Sequence, residues 1–148
     1  MAKVNPYLYF RGNAQEVFNF YKSIFGGEFE TVMRFGDVQG QEGCENLSDE
    51  DKGKIMHIAL PLSDGHVLMA SDALDQYGDK YVHGTNISIS ISADSKEEAE
   101  KVFNGLSDGG EVTMPLSDTF WGAYFGMLKD KYDIEWLVNY DHPKPVNQ

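Results

Sequence analysis

The stretch PYLYFRGNAQEVFNFYKSIFGGEFE, residues 6–30, decides the fold, because a strand, a helix and a helix stop follow one another within it. Residues 3–11 alternate in the way that predicts a β-strand. Asn13 and, three residues later, Glu16 have the spacing of a capping box. Apolar side chains at helical spacing then predict a helix over residues 13–25, and the two glycines that follow are typical of a helix end.

Further strands and two loops complete the first half of the chain. Residues 37–53 are rich in Gly, Asp and Glu and are expected to form an exposed loop, whereas residues 73–82 are expected to form a loop that connects two halves. The sequence SDG at residues 63–65 predicts a tight hairpin turn. The other segments with strand character are GEFETVMRF (27–35), KIMHIALPL (54–62) and HVLMASD (66–72).

The same order of elements recurs about 80 residues later, which indicates an internal repeat. NISISIS (86–92) alternates as a strand, Ser95 and Glu98 form a second capping box, and a helix over 95–107 ends at another Gly–Gly pair. Three more strand segments follow: EVTMPLSDTF (111–120), WGAYFGMLKD (121–130) and YDIEWLVNY (132–140).

These patterns predict an α+β fold of two tandem βαβββ modules, with half-repeats at about residues 1–72 and 83–141 inside one domain of 148 residues. A single helix covers one face of its sheet and leaves the other face open. Two modules side by side, or across a dimer, are expected to curl their open faces into a shared cleft, and concave sites of this kind commonly bind ligands.

Composition excludes several classes of function. The formal net charge of −12 argues against nucleic-acid binding, which depends on Lys and Arg that neutralise phosphates. The single cysteine, Cys44, cannot form an internal disulfide. The mostly apolar runs are too short for a membrane helix, and the N-terminus lacks a signal pattern, so the expected location is the cytoplasm. No GxGxxG, P-loop, HExxH or GxSxG motif occurs, nor a Gly-rich loop that would hold a methyl donor.

Three segments resemble the PhnB-like proteins of the vicinal oxygen chelate superfamily, which includes glyoxalase I, bleomycin-resistance proteins, fosfomycin-resistance enzymes and extradiol dioxygenases. They are residues 6–30, MHIALPLSDGHVLMASD (56–72) and FWGAYFGMLKDKYDIEWLVNY (120–140). The resemblance implies the glyoxalase/bleomycin-resistance fold and a homodimer. It also implies that an enzyme of this superfamily would hold a divalent metal ion with His, Gln or Glu side chains from four strands.

This chain departs from that metal-binding pattern. Carried over one by one, the ligand positions fall on Asn5 (or Pro6, if the register differs by one), Met69, Asn86 and Leu137. Such side chains make a poor site for a divalent cation, which prefers carboxylate, imidazole or thiolate ligands. The sequence therefore predicts no resident cofactor, although Glu135 could turn a carboxylate inward if the register of the last strand shifted by two.

Polar and aromatic side chains are predicted to line the cleft. His57 is expected to face it, either as a group that orients a ligand or as an ordinary hydrogen-bonded strand histidine, since no orienting partner is visible in the sequence. Asp72 and Asp75 are expected to be solvated. The complete predicted set comprises Tyr7, Tyr9, His57, Met69, Ser71, Asn86, Ser88, Trp121, Tyr124 and Leu137.

Three hypotheses about function follow. The first is a metal-free module that binds an unknown small molecule in an aromatic cleft. The second is a metal-dependent lyase, transferase or dioxygenase-type enzyme with displaced ligands, to which His57 and Glu135 would contribute. The third is a structural dimer without a ligand, because aromatic side chains also dominate cores and interfaces.

Overall fold

The computed structural model describes residues 2–38 and 47–144, so Cys44 lies outside the described residues. The chain divides into two compact units, Met1–Val82 and His83–Gln148. No helix in the described parts of the chain is long and apolar enough to cross a membrane.

The first unit is a four-stranded sheet with a helix on one face. The strand order is β1-β4-β3-β2, and β1 runs parallel to β4 while the other neighbours are antiparallel. Its elements are β1 (Tyr7–Phe10), α1 (Ala14–Phe25), β2 (Thr31–Arg34), α2 (Asp49–Lys52), β3 (Ile55–Pro61) and β4 (Val67–Asp72).

The second unit repeats this topology. The strand order is β5-β8-β7-β6, with β5 parallel to β8 and antiparallel pairs elsewhere. Both units thus have a strand, a helix on one sheet face and three further strands, which confirms the predicted α+β class and the tandem βαβββ repeat. The elements are β5 (Ile89–Ser92), α3 (Lys96–Ser107), β6 (Glu111–Asp118), β7 (Ala123–Lys129) and β8 (Glu135–Asp141).

Each core lies between the sheet and its helix, because alternate side chains of every strand point to the same face. In the first unit, Ile58 and Leu60 of β3 are fully buried, as are Val17 and Phe18 of α1. In the second unit, α3 comes close to β7 at Gly126, where an added Cβ would lie 2.7 Å from the Phe103 ring. The buried side chains there include Ala99, Val102, Phe103, Leu106, Leu128, Trp136 and Val138.

The cap of α1 differs from the prediction. Asn13 makes no side-chain cap, and the buried Asp72 carboxylate takes that place. One Asp72 oxygen accepts hydrogen bonds from the backbone N–H of Gly12 (3.0 Å) and Ala14 (2.9 Å), and the other accepts from Ile55 (2.8 Å). The expectation of a solvated Asp72 was therefore wrong, because these three donors replace water around the charge.

The cap of α3 confirms the prediction. The Ser95 hydroxyl accepts a hydrogen bond from the backbone N–H of Glu98 at 3.1 Å. The Glu98 carboxylate in turn accepts from the backbone of Asp94, one residue before the expected partner. Two free donors at the start of the helix are thus satisfied by local side chains.

The predicted loops contain short helices. Within residues 37–53, helix α2 is capped by the Ser48 hydroxyl, which accepts from the backbone of Asp51 at 3.1 Å. The connection over 73–82 contains a 3-10 helix, Asp75–Lys80, and begins with buried side chains. Residues 39–46 of the first segment lie outside the described residues. In the described parts, local caps and ion pairs stabilise single turns that hydrophobic periodicity does not reveal.

Candidate functional site: an aromatic face on the first sheet

Strand register gathers half of the predicted site on one face of the first sheet. Tyr7 and Tyr9 of β1 lie beside Met69 and Ser71 of β4, and His57 lies further along the same face on β3. This face is opposite the buried face that packs on α1. We call it the tyrosine face and define it by Tyr7, Tyr9, His57, Met69 and Ser71.

Aromatic rings form a continuous row on the tyrosine face. The His57 ring stacks on Tyr7 with centroids 5.6 Å apart, and the Tyr7 and Tyr9 rings are 5.3 Å apart. Tyr81 extends the row, with its ring centroid 5.1 Å from that of Tyr9. Tyr7 is 38% exposed and Tyr9 is 49% exposed, so a substantial aromatic surface is accessible.

His57 has the orienting partner that the sequence did not reveal. Its Nδ1 atom lies 3.1 Å from the Tyr7 hydroxyl, within hydrogen-bond distance. Among residues 2–38 and 47–144, no group makes a hydrogen bond to the other ring nitrogen, Nε2. The pair therefore presents a fixed imidazole with one nitrogen available for another molecule.

Tyr81 is the member of this site that sequence reasoning missed. It lies in the connecting segment over residues 73–82, which belongs to the first unit. The backbone N–H of Ala73 donates to Phe10 at 2.6 Å, and the Arg11 guanidinium donates to the Tyr81 carbonyl oxygen. These contacts bring the Tyr81 ring to the end of the row, and no motif in the sequence signals that placement.

The second unit holds the other predicted residues, and several are not where they were expected. Leu137 and Glu135 lie on the face of the second sheet opposite α3, across from Met127 and Lys129 of β7. Trp121 follows β6 in the turn before β7 and is 59% exposed. The shared cleft between the open faces of the two modules stays a prediction.

Tyr124, Asn86 and Ser88 correct the prediction. Tyr124 points to the helix side of its sheet, where its hydroxyl donates to the Glu100 carboxylate of α3 at 3.0 Å. Asn86 and Ser88 precede β5, which begins only at Ile89, and both are exposed. None of the three therefore lies on the strand face for which it was proposed.

The positions that superfamily enzymes use for a metal do not fit a divalent cation here. The amide oxygen of Asn5 accepts from the backbone N–H of Val67 at 3.0 Å, so it stabilises the start of β4. Met69 and Leu137 offer a thioether and an alkyl chain, neither of which suits a hard or borderline cation. Within the described residues, no group of three or more His, Cys, Asp or Glu side chains could hold a metal ion.

Two ionisable groups with shifted pKa values lie away from the tyrosine face. The hydrogen bond to Asp51 raises the pKa of Lys54 against the opposing effect of burial, and Asp75 adds a second favourable contact at 3.3 Å. Burial raises the pKa of Tyr124, and the hydrogen bond to Glu100 raises it further. Both groups stabilise helix–sheet or loop contacts, and neither belongs to the candidate site.

Comparison with protein families identifies the relatives of this chain. The model of the 3-demethylubiquinone-9 3-methyltransferase family matches residues 2–139. The chain belongs to this family. A protein from Bacillus cereus, whose description combines that name with PhnB, is 26% identical over 94% of this chain and 99% of its own, with a TM-score of 0.69. The resemblance to PhnB-like proteins is thereby confirmed.

Two further relatives cover nearly the whole chain. Protein PA1353 from Pseudomonas aeruginosa is 39% identical over 97% of this chain and 100% of its own, with a TM-score of 0.79. Protein YjdN from Escherichia coli is 25% identical over 97% of this chain and 98% of its own.

A more distant structure confirms the wider fold. A glyoxalase/bleomycin resistance protein/dioxygenase family enzyme from Burkholderia phytofirmans is 13% identical over 93% of this chain and 96% of its own, with a TM-score of 0.60. Because one fold hosts many activities, this likeness establishes the architecture and leaves the chemistry to the site.

Proposed function

We propose that the tyrosine face binds a flat, largely apolar small molecule without a metal ion. The row of His57, Tyr7, Tyr9 and Tyr81 supports this proposal most directly. Aromatic rings offer large apolar contact areas, and each favourable ring pair contributes about 0.5–1.5 kcal/mol beyond burial. The His57–Tyr7 pair adds a polar contact that can orient the bound molecule.

The proposal is limited to binding, although the family takes its name from a methyl transfer to demethylated ubiquinone. A methyl transferase needs a methyl donor, and the sequence has no Gly-rich loop of the kind that holds nucleotide-like cofactors. The hypothesis of displaced metal ligands also lacks support, because no group of three or more His, Cys, Asp or Glu side chains within the described residues could hold a metal ion.

Equilibrium dialysis with naphthalene, a bicyclic ring without polar groups, tests this function. Replacing Tyr9 by alanine removes the middle ring of the row, so the dissociation constant is expected to rise about 2- to 10-fold. Tyr9→Leu, which keeps an apolar chain at the position, is expected to weaken binding less. The melting temperature of each variant reports whether the fold is retained.

Tyr132→Ala is the matched control, since Tyr132 follows β7 in the second unit, beneath the Lys131 ammonium at 5.5 Å. Its affinity for naphthalene is expected to equal that of the wild type. Absence of naphthalene binding, or equal weakening by Tyr9→Ala and Tyr132→Ala, would overturn the proposed function.

We also propose that the chain forms a homodimer, as the family resemblance implies. Isologous pairs are the commonest oligomers of soluble proteins, and a sheet with one helix leaves a face to be covered. Light scattering should give twice the chain mass of 16.6 kDa. A mass of one chain at micromolar concentration would contradict this proposal.

A further inference from the structure

We propose that Tyr7 fixes His57 as a hydrogen-bond donor, so that the tyrosine face selects a flat ring that carries a neutral acceptor oxygen, such as an aryl carbonyl. This inference rests on the proposed function, because it names the class of ligand that the face would take. In it, the His57 ring nitrogen contacts the ligand, and the Tyr7 hydroxyl positions that nitrogen.

The Tyr7 hydroxyl occupies one of the two ring nitrogens of His57. Its oxygen lies 3.1 Å from Nδ1. A phenol O–H is a stronger donor than a neutral imidazole N–H, and an imidazole nitrogen is a stronger acceptor than a phenol oxygen, so the hydroxyl donates to Nδ1. Because the bond made by one ring nitrogen determines the proton on the other, the neutral ring carries its proton on Nε2.

The geometry of the rings then favours an oxygen in the plane of the ligand. The His57 and Tyr7 rings are stacked with 24° between their planes. An imidazole N–H lies in the plane of its ring, as do the lone pairs of an aryl carbonyl oxygen. A ligand ring in the same layer as the imidazole can therefore accept from Nε2–H while its face rests on a neighbouring tyrosine.

The acceptor oxygen is inferred to be neutral. The five residues that define the tyrosine face include no Lys and no Arg that would pair with a carboxylate or phosphate. The formal net charge of −12 also opposes the approach of an anion. A neutral carbonyl oxygen meets both conditions.

Nitrogen NMR of histidine-labelled protein tests the role of Tyr7 directly. At a pH where His57 is neutral, the wild type is expected to show a protonated Nε2 and an unprotonated Nδ1 for this ring. Tyr7→Phe, which keeps the ring and removes the hydroxyl, is expected to give a mixture of the two tautomers. A wild-type ring protonated on Nδ1 would overturn the inference, and so would an unchanged spectrum in Tyr7→Phe.

A comparison of chromone, which carries a carbonyl oxygen, with naphthalene, which does not, tests the ligand class. The dissociation constant is measured for each compound separately. His57→Phe keeps a ring in the stack but removes the donor, so the ratio of the dissociation constant for chromone to that for naphthalene is expected to rise about 3- to 10-fold. His66→Phe is the matched control, because His66 is exposed beside the β3–β4 turn. It is expected to change neither constant.

The outcomes separate this inference from the proposed function. If His57→Phe weakens chromone and naphthalene equally, or neither, the ligand class is wrong while aromatic binding stands. If naphthalene does not bind the wild type at all, the proposed function fails and the inference fails with it. A selective loss of chromone in His57→Phe, with both ligands unaffected in His66→Phe, supports both.

Discussion

The Tyr7 hydroxyl lies 3.1 Å from Nδ1 of His57, although fifty residues separate the two positions. They are not on neighbouring strands, because β4 lies between β1 and β3 in the sheet. Strands are spaced about 4.8 Å apart, so the pair reaches across a whole strand. This contact turns a strand histidine into an oriented donor and gives the tyrosine face its polar centre.

The Asp72 carboxylate is predicted to be one of the most important polar groups for stability in the first unit. It accepts three backbone hydrogen bonds and joins the start of α1 to the start of β3. Asp72→Ala leaves these donors without their partner and is expected to lower the free energy of unfolding by about 3 kcal/mol. Urea denaturation followed by circular dichroism measures the change.

Asp75→Ala is the control for this prediction. The Asp75 side chain is 82% exposed and contacts Lys54 at 3.3 Å, so its loss is expected to cost less than about 1 kcal/mol. Equal destabilisation by the two substitutions would show that the buried carboxylate has no special role.

The stability of the fold is predicted to fall at alkaline pH. Because the pKa of Tyr124 is raised above its ordinary value of 10.0, the folded protein holds this proton more tightly than the unfolded chain. The resulting stability is present below pH 10 and is lost as the pH rises through the folded pKa. The pKa of Lys54 is also raised, from an ordinary value of 10.5. This group therefore also loses its stabilising effect as the pH rises through its folded pKa.

Melting temperatures between pH 9 and pH 11.5 check this expectation. Tyr124→Phe has no proton to lose and is expected to show a shallower decline than the wild type. Glu100→Gln keeps a hydrogen-bond acceptor but removes the charge, so its decline should be intermediate. A decline in Tyr124→Phe as steep as in the wild type would contradict this assignment.

Divalent metal ions are predicted not to stabilise the protein. A ligand that binds only the folded state raises the free energy of unfolding by RT ln(1 + [L]/Kd). No such gain is expected from zinc or nickel, because the positions that superfamily enzymes use for a metal are occupied here by Asn5, Met69, Asn86 and Leu137. The measurement is the melting temperature of chelator-treated protein before and after addition of each metal. A large rise would support a metal site formed by other residues.

Much of the fold was predictable because it depends on local patterns. Alternation, helical periodicity and paired glycines recur in both halves, and the Ser95 cap depends on residues only three positions apart. The cap supplied by Asp72 was not predictable in this way. It lies 58 residues from Ala14 in the sequence and becomes a cap only when β4 pairs with β1.

The candidate site was predictable only in part, for the same reason. Neighbouring aromatic residues such as Tyr124 and Phe125 look equally suited to either face of a strand, so the sequence did not settle which one faces α3. Asn86 and Ser88 are predicted to lie in β5, but the pairing of β5 with β8 begins only at Ile89 and Trp136, so both residues precede the strand. Tyr81 reaches the tyrosine face through contacts that form only in the folded chain.

A titration of methyl-labelled methionine with naphthalene, followed by carbon NMR, tests whether the tyrosine face is the binding site. Met69 lies on the tyrosine face beside Tyr7, so its methyl group would experience the ring current of a molecule bound there. If naphthalene binds to the tyrosine face, the Met69 methyl signal is expected to show a saturable shift that is lost or weakened in Tyr9→Ala. A Met69 signal that stays unchanged when naphthalene has saturated the protein would contradict the claim that this face is the binding site.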